Sequence, residues 1–142
     1  MKLTRFFAVI CTALACILSS SCTKGEAASA YKSSMWSGNY TIQVLNNDTN
    51  DMEECTASVF LQFSSSGHEC TVETGIIGMY AINKSTYDVK WYSTDTFALC
   101  ETNGGQTIQY YSGTIKGGKM SFEFLSCDKV ERTVELEAVH LE

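Results

Sequence analysis

The sequence predicts an all-β protein whose domain, residues 36–142, is an antiparallel up-and-down barrel of eight or nine strands. Three observations support this fold class. After Trp36, apolar side chains recur at every second position, which is the period of a strand with one buried face. Short segments rich in Gly, Asn, Asp and Ser separate these stretches, as in hairpin turns. The sequence contains no ten-residue stretch of helical periodicity, so it lacks the crossover helices that parallel strands require.

Nine stretches carry the strand pattern. The first alternates apolar with polar residues and places one set on a single face: Trp36, Gly38, Tyr40, Ile42 and Val44. The second does the same with Ala57, Val59, Leu61 and Phe63. The remaining predicted strands are residues 69–75, 78–83, 87–92, 96–101, 107–115, 120–126 and 132–141. The predicted turns between strands are residues 64–67, 83–85, 93–95, 103–105 and 116–119, and their Gly-Gly pairs favour two-residue hairpin turns.

Sequential hairpins with no long connection favour closure of the sheet into a barrel, because closure removes the two exposed edges. A two-layer sandwich is the alternative architecture for the same strands. A barrel of eight strands has an interior that is either filled by side chains or holds one small ligand. The strand pattern leaves both interiors open.

The first 21 residues have the pattern of a lipoprotein signal peptide. A basic start with Lys2 and Arg5 precedes an apolar run over residues 6–18, and three serines then lead to Cys22. The run is too short for a membrane-spanning helix. We expect cleavage before Cys22 and diacylation of its thiol, with chains such as palmitate. Cys16 is a weaker candidate, and ordinary cleavage near residues 27–30 would instead leave a soluble secreted protein.

Residues 22–35 contain small and polar side chains without periodicity, so the sequence predicts a lipidated cysteine followed by a flexible tether. The whole chain has sixteen acidic and ten basic residues. This balance argues against a nucleic-acid partner, because nucleic-acid surfaces are basic. Because we expect acyl chains on Cys22, the expected partner is the membrane. The sequence leaves any protein partner unassigned.

Two segments resemble a known family. These are Trp36-Ser37-Gly38-Asn39-Tyr40 at the start of the first strand and the late hairpin YSGTIKGGKMSF, residues 111–122. Both are similar to segments of the small lipocalin-like, or calycin-like, lipoproteins of bacteria. The resemblance implies a lipid-anchored eight-stranded barrel in which Trp36 plugs one end. It also implies the cell envelope of a Gram-negative-type bacterium, as an outer-membrane lipoprotein facing the periplasm or the cell surface.

Catalytic chemistry is not expected. The two histidines, His68 and His140, fall in a predicted turn and two residues from the C-terminus, and neither position suggests a positioned general base. His68 and Cys70 are too few ligands for a zinc site. The sequence therefore predicts a protein that is not an enzyme, with no cofactor and no metal.

Four cysteines lie in the predicted domain, at positions 55, 70, 100 and 127. An exported protein is in a compartment that permits disulfides. The predicted hairpin registers favour a disulfide between Cys100 and Cys127, and the pairing of Cys55 and Cys70 is left open.

Two functions fit the predicted barrel. In the first, the barrel carries a small apolar ligand in an interior cavity lined by large aromatic residues: Trp36, Tyr40, Phe63, Tyr111, Phe122 and Phe124. In the second, the interior is filled and the loops bind a protein or glycan, as in inhibitor-type barrels. Exposed aromatic residues would favour the second function, and the candidates are Tyr31, Tyr92 and Tyr110. A cavity of about 300 Å³ or more would favour the first.

Overall fold

The computed structural model describes residues 24–79 and 82–140. Within them, eight antiparallel strands form one closed barrel in which each strand bonds to the next and the last bonds to the first. The strands are β1 (Met35–Asn46), β2 (Asp51–Phe63), β3 (Glu69–Ile76), β4 (Ile82–Trp91), β5 (Thr96–Asn103), β6 (Gln106–Lys116), β7 (Lys119–Leu125) and β8 (Glu131–Ala138). The predicted all-β up-and-down barrel is confirmed.

The barrel closes through a short seam between β1 and β8. Trp36 pairs with Ala138 and Ser37 with Glu137, and the Val139 N–H donates to the Met35 carbonyl at 2.8 Å. Gly38 allows this approach, because a Cβ at residue 38 would lie 2.6 Å from the Glu135 carbonyl oxygen. A side chain there would hold the two strands apart.

The structure has eight strands and not nine, because two predicted strands are one. The predicted turn at residues 83–85 lies inside β4, where Lys84 pairs with Glu73 of β3 and their side chains form a 2.5 Å ion pair. The chain turns earlier, after Ile76, where Gly78 has a φ of 89°. Residues 83–85 are polar and exposed on strand β4, so the predicted turn at these positions is wrong.

Residues 24–31 form a short helix, α1, where the sequence analysis predicts part of a flexible tether. Ala27 and Ala28 are buried in the hydrophobic core. The tether prediction is therefore wrong for this part of the chain, because two small side chains let the helix pack on the barrel. Within the described residues, no helix is long and apolar enough to cross a membrane. Cys22 and the predicted signal peptide lie outside the described residues.

The turns divide between the two ends of the barrel, which we call the helix end and the rim end. The helix end comprises residues 24–34 and three turns, residues 64–68, 92–95 and 117–118. The rim end comprises the other four turns, of which the structure describes residues 47–50, 77–79, 104–105 and 126–130. Each end also includes the strand residues that border its turns.

Candidate functional site

The six aromatic residues predicted to line a cavity instead fill the barrel. All belong to one core or pack against it, and Phe122 is fully buried. Their rings contact one another: Phe122 stacks on Phe124 at 5.5 Å between centroids, and Tyr40 meets Phe124 edge-on at 5.3 Å. Tyr111, half-buried, lies 6.0 Å from Phe122. Rings in such contact leave no space between them for a ligand.

A second aromatic cluster fills the helix end, and the sequence analysis missed most of it. Trp91 stacks on Phe63 at 5.7 Å and lies 5.2 Å from Phe97. Tyr31 of α1 also stacks on Trp91, at 5.4 Å between ring centroids. The Trp91 indole N–H donates to the Gly67 carbonyl at 3.0 Å. The alternation of Tyr87, Val89 and Trp91 in β4 was the available signal that Trp91 faces inward.

Trp36 lies at the helix end, where the family resemblance expects a plugging tryptophan. It is buried, its indole N–H donates to the Ser34 hydroxyl at 3.1 Å, and its ring meets Tyr31 edge-on at 6.3 Å. Tyr31, a candidate for an exposed aromatic residue, is half-buried here. The other two candidates are exposed, Tyr92 at 49% and Tyr110 at 46%.

The exposed large apolar side chains concentrate at the rim end. Of the ten that the described residues expose, only Tyr92 lies towards the helix end. We call the other nine the rim: Leu45, Met52, Ile77, Met79, Ile82, Ile108, Tyr110, Leu125 and Val130. Eight of them lie in the rim-end turns or within three residues of them, and Tyr110 lies near the middle of β6. Leu45 and Met52 are directly paired across β1 and β2. Grouped exposed apolar side chains mark interaction surfaces, whereas scattered ones do not.

The charges differ between the two ends. At the rim end, the turns and the bordering strand residues hold one lysine, Lys129, against four carboxylates: Asp48, Asp51, Asp128 and Glu131. By the same definition, the helix end holds four lysines, Lys24, Lys32, Lys116 and Lys119, against three carboxylates, Glu26, Glu69 and Asp95. Lys119 is also ion-paired with two carboxylates of β8, Glu135 and Glu137. The rim end is therefore acidic, and the helix end is close to neutral.

A lateral groove opens in the barrel wall towards the rim end. The pairing of β6 with β7 stops at Ser112 and Glu123, while β6 continues outward to Gln106. The resulting cleft has a volume of about 400 Å³, is open to solvent and has a mostly polar lining. Tyr110, Tyr111, Phe124 and Arg132 are among the residues that line it.

Arg132 organises the wall of the groove nearest the β7–β8 turn. Its guanidinium lies 5.6 Å from the Tyr40 ring centre and pairs with Asp128 at 2.5 Å. The hydrogen bond from Arg132 and a second from Ser126 lower the pKa of Asp128 to about 2. Burial and a hydrogen bond with Tyr87 raise the pKa of Tyr111 to about 12, so its phenol stays neutral at physiological pH.

The predicted disulfide between Cys100 and Cys127 is wrong, because both are free thiols, as are Cys55 and Cys70. Cys100 lies on β5 and Cys127 in the β7–β8 turn, where its sulfur is 3.8 Å from the Tyr40 hydroxyl. Two strand spacings, about 10 Å, exceed the roughly 7 Å limit between Cα atoms of a disulfide. Burial raises the pKa of the Cys70 thiol to about 12.

Residues 24–79 and 82–140 contain no group of three His, Cys, Asp or Glu side chains placed to hold a metal ion. His68 is exposed in the β2–β3 turn.

No protein family, curated protein or solved structure was found to match this chain.

Proposed function

We propose that this protein is a non-catalytic, lipid-anchored barrel that binds a polypeptide partner through its rim. One observation carries the proposal: the barrel interior is filled, while eight of the ten large apolar side chains that the described residues expose lie in the rim-end turns or within three residues of them. The closed barrel is a fold consistent with a binding protein. Because the interior is packed, recognition would take place on the outer surface, and the rim is where exposed apolar side chains are grouped.

The filled interior argues against the alternative of a ligand held inside the barrel. Phe63, Phe97 and Phe122 are at most 1% exposed, and Phe63 meets Phe97 edge-on at 5.4 Å. Admitting a ligand would require these rings to separate, at the cost of the contacts that hold the core together.

The partner that fits the rim combines an apolar surface with basic side chains. Two of the rim-end turns carry carboxylates, Asp48 and Asp51 in or beside one and Asp128 and Glu131 in or beside the other. The positive charges near them are Lys129 and Arg132, and Arg132 is paired with Asp128. Apolar contact would supply most of the affinity, and opposite charges would orient the partner and speed its association.

Membership of the lipocalin-like lipoproteins and attachment through acyl chains on Cys22 are part of the proposal. Two acyl chains give stable attachment, whereas a single chain gives marginal attachment. The expected location is the outer membrane of a Gram-negative-type bacterium. Intact-mass measurement of the protein purified from such membranes tests the anchor: two or three acyl chains on a chain starting at residue 22 are expected, and Cys22→Ala removes them.

Rim binding is tested with a synthetic helical peptide of leucine and lysine as the probe. The double variant Met52→Ser/Ile82→Ser removes two apolar side chains of the rim, and Tyr92→Ser is the matched control on the outer wall. We expect about a hundredfold weaker binding for the double variant, since burying each side chain is worth about 1.5 kcal/mol and the two together about 3 kcal/mol. The control should bind as wild type does. Equal loss in both variants, or no binding by wild type, would overturn the proposal.

A small amphipathic ligand in the lateral groove is a second candidate. The groove volume, about 400 Å³, lies within the range of known ligand sites, and Tyr111 and Phe124 provide aromatic surface. Native mass spectrometry of protein purified from its own membrane tests it. A retained small molecule that Tyr111→Ala releases would support this candidate, and bare protein would argue against it.

A further inference from the structure

Helix α1 fixes the start of the described chain to the helix end of the barrel. Ala28 packs directly against Gly67, which has a φ of 72° and space for no side chain. Tyr31 stacks on Trp91 at 5.4 Å, and the Ser33 N–H donates to the Ser64 carbonyl at 2.9 Å. The same helix borders a cleft shared with the β4–β5 and β6–β7 turns. The segment that leads into the barrel is therefore held at one end of it.

The proposed anchor, Cys22, lies two residues before Lys24, the first residue that the structure describes. A connection of two peptide units reaches at most about 7 Å from the Cα of Lys24. β1 alone, twelve residues from Met35 to Asn46, extends about 25–30 Å along a barrel with ordinary strand rise and tilt. The rim is therefore much farther from the anchor than the linking chain can reach.

The charge distribution favours the same orientation independently. The helix end has four lysines against three carboxylates, and one of the lysines, Lys119, is paired with Glu135 and Glu137 of β8. The rim end has one lysine against four carboxylates, of which Asp128 is paired with Arg132, so it is the more acidic of the two ends. An anionic membrane surface attracts basic side chains and repels acidic ones within about a Debye length. The helix end therefore meets a bilayer at lower electrostatic cost than the rim end does.

We propose that the helix end is the face of this protein that lies against the lipid headgroups, with the rim directed away from the membrane that holds the anchor. This inference rests on the proposed acylation of Cys22. It assigns α1 a role as a rigid spacer, and it presents the apolar and acidic rim to a partner that approaches from the aqueous side.

Energy transfer to the bilayer surface tests the orientation. The full acylated chain is reconstituted in vesicles of phosphatidylethanolamine and phosphatidylglycerol with acceptor dye on the headgroups. A fluorescent non-natural amino acid at Lys116, at the helix end, or at Thr49, at the rim end, is the donor; both positions are exposed. We expect a clearly larger loss of donor fluorescence from position 116. Equal loss, or larger loss from position 49, would overturn the proposal.

A second chain tests whether the short connection sets the orientation. Twenty Gly and Ser residues inserted between Thr23 and Lys24 free the barrel while leaving α1 intact. We expect the difference between positions 116 and 49 to shrink, and an unchanged difference would contradict the role of α1 as a spacer. Intact mass of each sample distinguishes the failures: a chain without acyl groups refutes the proposed anchor, whereas an acylated chain with the wrong donor order refutes only the orientation.

Discussion

Replacing Gly38 with alanine should open the seam of the barrel. The new Cβ would lie 2.6 Å from the carbonyl oxygen of Glu135 and 2.6 Å from Cδ2 of Leu136. The leucine side chain has other rotamers, but the carbonyl is backbone, so β8 itself must move. The seam has only two paired residues on each strand, and overpacking of this kind costs about 1–3 kcal/mol. We expect the free energy of unfolding to fall by about 2 kcal/mol in urea titrations.

Gly25→Ala is the matched control for this substitution. Gly25 lies in α1 and has no atom within 4 Å of the position of an added Cβ, so alanine meets nothing. Alanine favours a helix by about 0.8–1 kcal/mol over glycine, and the control should be as stable as wild type or slightly more so. If Gly38→Ala unfolds at the same urea concentration as wild type, the close approach of β8 to residue 38 is refuted.

Three further predictions concern the core, the acid response and the thiols. Phe122→Ala should lower the free energy of unfolding by about 3–5 kcal/mol because the ring is fully buried. The control Tyr92→Ala should lower it by less than about 1 kcal/mol, because Tyr92 is exposed. Similar losses for the two variants in urea titrations would contradict a filled barrel. The pKa of Asp128 is depressed to about 2, so its stabilising contribution is present above pH 4 and lost as pH falls through 2. Asp128→Asn should flatten that part of the acid-unfolding curve, and an unchanged curve would exclude this contribution. Cys70, with a pKa of about 12, should resist iodoacetamide at pH 8 until the protein unfolds, whereas half-buried Cys127 should react earlier. Mass spectrometry of digests measures this order, and modification of Cys70 before Cys127 would contradict the prediction.

The sequence was informative about strands because a strand has a fixed period. Trp36, Tyr40 and Ile42 alternate with polar residues, and the structure buries all three. The same rule gave the correct inward face of β7, where Phe122 and Phe124 are buried. Alternation depends only on local backbone geometry, so it can be recognised without knowing the neighbouring strands.

The errors arose where tertiary contacts outweighed local preference. Residues 83–85 have turn composition, but pairing with β3 holds them in β4. Residues 24–31 lack helical periodicity, yet two buried alanines and Tyr31 seat α1 on the barrel. The predicted disulfide between Cys100 and Cys127 fails because β6 lies between the strands that carry or precede them, and a separation of two strand spacings is too long for a disulfide.

The candidate site was only partly accessible to sequence reasoning. The sequence indicated large inward aromatic residues, but it could not show whether they enclose a cavity or fill it. The contacts of Phe63 with Phe97 and of Phe122 with Phe124 decide that question. The rim was missed because its members come from seven separate segments, and no local pattern unites them.

The alternation of side chains by itself determined that this protein is built from antiparallel β-strands and which residues of β1, β2 and β7 face inward, because the two-residue period is a property of each strand alone. The closure at Gly38, the filled interior, the seat of α1 and the gathering of apolar side chains at the rim were decided only by the tertiary structure. Each of these depends on distances between segments far apart in the chain, and those distances are set by the register and curvature of the whole sheet.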